Sequence, residues 1–94
     1  MAVKLPGQIR EENMENLSKR EKIKALEEMI QVVLIRIPKE IEAMRFYLSA
    51  AEKSVTQASK ELFINLAQQE KGHEAELKRI LEDLKQQLAE LKKS

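Results

Sequence analysis

Apolar residues recur along the middle of the chain at steps that alternate between three and four. The first series runs Ile23, Leu26, Ile30, Val33, Ile37, Met44, Tyr47 and Ala51, one face of a long helix. Glu40 is the single position in that series that is not apolar. Ser18 followed by Glu21 has the spacing of a capping box, in which each side chain satisfies the other residue's free backbone N–H. The helix is therefore expected to begin near Lys19. Pro38 removes a backbone donor and disfavours helical geometry at Ile37. The stripe keeps its phase on both sides of Pro38, which predicts a kink there and not a chain reversal. Ser54, Val55, Thr56 and Gln57 break the pattern and predict a turn, with Thr56 or Ser59 capping a second helix.

The second stripe runs Phe63, Leu66, Glu70, His73, Leu77, then Ile80 and Leu81, then Leu84, Leu88 and Leu91, ending as a heptad seam. Its polar intruders are Glu70 and His73. Folded as an antiparallel hairpin, facing residues have sequence numbers of nearly constant sum. Ile23 then meets Leu91, Ile30 meets Leu84 and Ala51 meets Phe63. The same register sets Glu40 opposite His73 and Met44 opposite Glu70, so all three polar intruders fall at one level. Glu42 and Glu74 lie off the main stripes and are expected on solvated faces. Residues 1–17 are mostly polar, contain Pro6-Gly7 and show no sustained period. They read as a tail or docking arm, with the helical hairpin occupying 18–94.

A hairpin of two helices encloses little, and a chain of 94 residues without cysteine has no disulfide to compensate. The first helix is apolar nearly all round between Met29 and Ile37, which calls for more than one packing neighbour. The fold class expected is all-α: a two-helix hairpin that pairs with a second copy into a four-helix bundle, as a homodimer or a larger even-numbered homo-oligomer.

The polar level of the seam suggests chemistry. A Glu and a His three residues apart share a helical face, so Glu70 and His73 direct a carboxylate and an imidazole to one point. Glu-x-x-His alone is common in so acidic a chain; Glu40 at the same height of the facing helix makes it a constellation. Two-fold symmetry doubles the set to four carboxylates and two imidazoles, the ligand inventory of a diiron bundle. Four carboxylates carry a charge of about −4, prohibitive in an apolar seam without cations. Two Fe ions per dimer meet that need, with Mn or Zn as substitutes for a donor set lacking thiolate.

The remaining composition narrows the choice by exclusion. Without cysteine there is no thiolate zinc site and no rubredoxin-type iron. A net charge of +1 and only three aromatic side chains, Phe46, Tyr47 and Phe63, argue against a nucleic-acid surface. The apolar run from Met29 to Ile37 is broken by Gln31 and Arg36 and is too short to span a membrane. A soluble, cytoplasmic protein is expected.

The segment from Glu40 through Tyr47 to Glu52, followed by Phe63-Ile-Asn-Leu-Ala-Gln-Gln-Glu70-Lys-Gly-His73, resembles the diiron core of the rubrerythrin branch of ferritin-like proteins. The pattern is a Glu, a Tyr seven residues later, then Phe-x-x-Leu-Ala leading into Glu-x-x-His, and it covers about residues 37–84. Rubrerythrins carry it twice, whereas this chain carries it once. Single-copy chains resemble encapsulated ferritins, which build the site across a dimer interface and assemble as rings of dimers. The resemblance implies a ferroxidase that oxidises Fe(II) for iron storage or detoxification. It also implies Glu40, Glu70 and His73 as ligands, Tyr47 as a tyrosine beside them, and an encapsulin shell as a partner enclosing the protein. Rubrerythrin-like peroxide scavenging is the nearest alternative, and it needs a separate electron donor because the chain has no Cys-ligated iron. A structural coiled-coil assembly without functional metal is the alternative from another class.

Overall fold

The computed structural model describes residues 17–94, so the arm expected over 1–17 lies, but for Leu17, outside the described residues. Two helices make up the fold, α1 (Lys19–Lys53) and α2 (Gln57–Lys93). No strand occurs among the described residues, although Val32 to Ile35 have strand propensity. At 35 and 37 residues the helices are matched in length, each about 50–55 Å long.

Local chemistry sets both starts. Ser18 caps α1, its hydroxyl oxygen accepting from the Glu21 N–H at 3.2 Å. The reciprocal half of the expected capping box takes a different form: the Glu21 carboxylate accepts from the Ser18 hydroxyl at 2.9 Å. Thr56, not Ser59, caps α2 by accepting from the Ser59 N–H at 3.1 Å. Ser54 closes α1 by donating its N–H to the Ala51 carbonyl and its hydroxyl to the Ala50 carbonyl. Gln57, expected within the turn, opens α2 instead. The helix runs unbroken through Pro38, so the chain reverses only at the 54–56 turn.

The core is a seam between the helices. Leu26, Ile30 and Val33 of α1 meet Leu81 and Leu84 of α2, with Met29, Ile37, Leu77, Leu88 and Leu91 packed around them. Ala51 and Ala67 are buried nearer the turn. On α1 the buried positions follow the expected stripe. On α2 the stripe shifts by one residue above Leu77, where Ala67 is buried and Leu66 exposed; below Leu77, Ile80 is exposed beside buried Leu81. The reason is phase. Leu91, Leu88, Leu84, Leu81 and Leu77 alternate steps of three and four, and the same rhythm continued upward reaches Glu74, Glu70, Ala67 and Phe63. Leu66, His73 and Ile80, each seven residues apart, form an adjacent stripe. Leu62, four residues before Leu66, joins it and is also exposed. Val32, Ile35 and Phe46 of α1 are exposed too, so the hairpin covers only part of its apolar surface.

A candidate metal centre in the seam

Position 40 is a seam position, the second in the heptad series Val33, Glu40, Tyr47, and the helix delivers whatever side chain stands there into the core. Here it delivers a carboxylate. Glu40 is 5% exposed and is the one buried charged side chain among the described residues. Glu70 occupies the facing seam position of α2 and is half-buried, and His73 follows one turn later. The three offer ligand atoms that all lie within 4.8 Å of one another. The register read from the sequence thus brings Glu40, Glu70 and His73 together.

His73 Nδ1 is 3.6 Å from Glu40 Oε2 and 3.6 Å from Glu70 Oε2. That exceeds a hydrogen bond. Donors held about 2.0–2.2 Å from one ion lie about 2.8–3.6 Å apart, so these two separations are compatible with donors that share one ion. The imidazole is not enclosed, however. Its side chain is 63% exposed, because it belongs to the Leu66–His73–Ile80 stripe and not to the seam.

Two carboxylates meet here with little positive charge to balance them. The Glu70 carboxyl is pushed above the usual carboxylate range, chiefly by its hydrogen bond to Glu40 and by burial. The Glu40 carboxyl is held below that range by the same hydrogen bond, against burial, with help from the Arg36 guanidinium. The opposed shifts mean that the pair resists ionising together, so Glu70 is the carboxyl that holds a proton more readily. Hard oxygen donors, an imidazole and a deficit of positive charge fit a divalent metal.

Arg36 is the contact that hydrophobic patterning overlooks. Its Nε–H donates to Glu40 Oε1 at 2.7 Å, from one turn earlier on α1. The signal was its place four residues before Glu40, inside an otherwise apolar run. Glu74 departs from its expected solvated face. It stands in the seam one turn beyond Glu70, its side chain 17% exposed and paired with Lys78 at 2.5 Å. Glu42 is exposed as expected. Tyr47 is half-buried, about 10 Å along α1 from Glu40, and its ring meets Phe46 edge-on at 5.7 Å.

No helix among the described residues is long and apolar enough to cross a membrane. Neither the curated proteins nor the solved structures contain a match to the chain. A protein-family model described as Rubrerythrin does match it, over residues 6–81 and again over residues 32–94. Both spans include Glu40, Glu70 and His73.

Proposed function

The chain belongs to the rubrerythrin family, and from that premise we propose that two hairpins pair to complete a dimer-interface diiron centre that oxidises Fe(II). The observation that carries the reading is a ligand set left half-covered. Glu40 and Glu70 are withdrawn into the seam, while His73 is in water on a stripe flanked by exposed Leu66 and Ile80. A second copy laid on that stripe buries large apolar side chains, at about 25 cal/mol per Å², and encloses the imidazole in the same act. Two family matches overlapping on one Glu40, Glu70 and His73 set fit a single copy of a pattern that the family carries twice.

In the paired state four carboxylates and two imidazoles would hold two irons, with manganese or zinc as substitutes. Fe(II) is the substrate, and each ion gives up one electron to dioxygen or peroxide. With peroxide, two Fe(II), one H2O2 and two protons yield two Fe(III) and two waters. The protein's part is positioning and charge. Glu40 and Glu70 supply anionic oxygens, which favour the more highly charged product ion over the substrate ion. A cation at the site would compete with protons for the raised Glu70 carboxyl. No side chain acts as a nucleophile.

Iron storage or detoxification is the role this chemistry serves. One dimer has no room for mineral, so product collects elsewhere, in a ring of dimers within an encapsulin shell in the cytoplasm. Peroxide scavenging is the second reading; with no cysteine in the chain, a separate donor must return electrons to the site. Fe(II) oxidation rates with dioxygen and with peroxide test the proposal, measured for the unsubstituted chain and for Glu40→Ala, Glu70→Ala and His73→Ala. Each variant should lose oxidation while its metal-free fold survives. A fully active His73→Ala would overturn the reading, and preference for peroxide over dioxygen would favour scavenging.

A further inference from the structure

We propose that Arg36 is a positioning residue for the metal centre, holding one oxygen of Glu40 so that the other stays turned toward Glu70 and His73. This rests on the metal reading above and adds to it a residue outside the ligand set.

The two oxygens of Glu40 have divided duties. Oε1 accepts from Arg36 Nε–H at 2.7 Å, and Oε2 faces His73 Nδ1 at 3.6 Å. A carboxylate at the end of a Glu side chain rotates about its last bond with little to stop it. With Oε1 held, that rotation is fixed and the free oxygen points inward. Glu40 is then limited to one inward-facing oxygen, a restraint the seam alone does not impose.

The contact is unlike an ordinary surface pair one turn apart on a helix. Such pairs contribute little because both partners are hydrated and mobile. Here the Arg36 side chain is 60% exposed but its partner is only 7% exposed, so a solvated cation reaches down to a buried anion. The order of charges is also the less favourable one for a helix, with the cation on the N-terminal side. Helix stability therefore gives a poor account of why an arginine stands between Ile35 and Ile37.

The bonding atom makes the proposal testable. Arg36 uses Nε and not the ends of its fork. The amide nitrogen of a glutamine stands the same number of bonds from the backbone as Nε. Arg36→Gln can therefore donate the same hydrogen bond without the charge, Arg36→Lys keeps a charge but carries its donor one bond further out, and Arg36→Met has neither.

Anaerobic titration with Co(II), followed by calorimetry and by the intensity of its visible bands, reads affinity and ligand geometry without turnover. Arg36→Met should weaken Co(II) binding by roughly 10–100-fold, the usual consequence of removing a partner that orients a metal ligand. Arg36→Gln should stay within the same decade as the unsubstituted chain and restore its visible spectrum. Melting of the metal-free proteins checks that all three variants remain folded. Arg36→Met binding as tightly as the unsubstituted chain would overturn the proposal while leaving the metal site standing. So would a pattern in which Lys rescues and Gln does not, since charge would then be the active property. No Co(II) binding by the unsubstituted chain would bring down the metal reading and this one together.

Discussion

Glu40→Leu separates what the seam needs for folding from what it needs for metal. The substitution puts a branched apolar side chain at a buried heptad position between Ile37 and Met44, where the surrounding pattern already calls for one. It removes the buried charge, leaves Arg36 in water, and relieves Glu70 of the neighbour that raises its pKa. Replacing a buried ionic group with a well-packed apolar one is commonly neutral or stabilising, so the metal-free variant should melt no lower than the unsubstituted chain. Metal should separate the two proteins. At a free concentration a hundredfold above Kd, a ligand bound only by the folded state adds about 2.7 kcal/mol. For a hairpin with helices of 35 and 37 residues, each kcal/mol moves Tm by about 4–8 °C. The unsubstituted chain should therefore gain about 11–22 °C with Co(II) under nitrogen, and Glu40→Leu should gain nothing. Circular-dichroism melts with and without Co(II) make the comparison. A metal-induced shift that persists in the variant would refute the assignment of Glu40 as a ligand. A metal-free variant that melts well below the unsubstituted chain would refute the claim that the fold tolerates the carboxylate rather than requires it.

Further expectations concern the seam and its titration. Leu81→Ala removes a buried side chain from the centre of the core and should cost about 2–5 kcal/mol in urea unfolding. Gly72→Ala should add about 1 kcal/mol by the same measurement, because Gly72 is mid-helix and a Cβ there meets nothing within 4 Å of the hairpin. An unfavourable result would mean that a second copy approaches the backbone at Gly72. Metal affinity should fall as pH falls, because protons compete with the cation for the raised Glu70 carboxyl. Calorimetry in two buffers of different ionisation enthalpy should register proton release on binding at pH values where Glu70 is partly protonated, and its absence across the acidic range would refute that competition. Metal-free stability should also vary with pH. The raised Glu70 contributes stability at low pH that is lost as pH rises through its folded pKa, whereas the lowered Glu40 contributes stability lost as pH falls through its own, so the two slopes oppose.

Much of the hairpin was legible because its signals were local and redundant. Ser18 and Thr56 mark the helix starts with side chains that can satisfy free N–H groups, and the apolar rhythm crosses Pro38 without losing phase. The constant-sum register then placed Glu40 beside Glu70 and His73, because two rigid helices joined by a short turn leave no freedom to slip. Over the upper half of α2 hydrophobicity points to the wrong phase. Leu66 and Ile80 outweigh Ala67 on any count of hydrophobicity, yet Ala67 is the buried one, since buried seam positions follow the step pattern and not side-chain size. The same error put His73 in the seam and Glu74 in solvent. The exposed His73 is informative in its own right, because a ligand on the outer stripe calls for a second surface to cover it. The contact made by Arg36 is not legible in the periodicity, which treats a charge in an apolar run as an interruption and does not ask what it touches.

The most direct test is metal content per chain after anaerobic loading with Fe(II), measured alongside the mass of the assembly by light scattering. A paired, two-fold diiron centre predicts one iron per chain in an assembly of even subunit number. An intact assembly that binds no iron would contradict it and leave Glu40, Glu70 and His73 as the polar layer of a structural coiled coil.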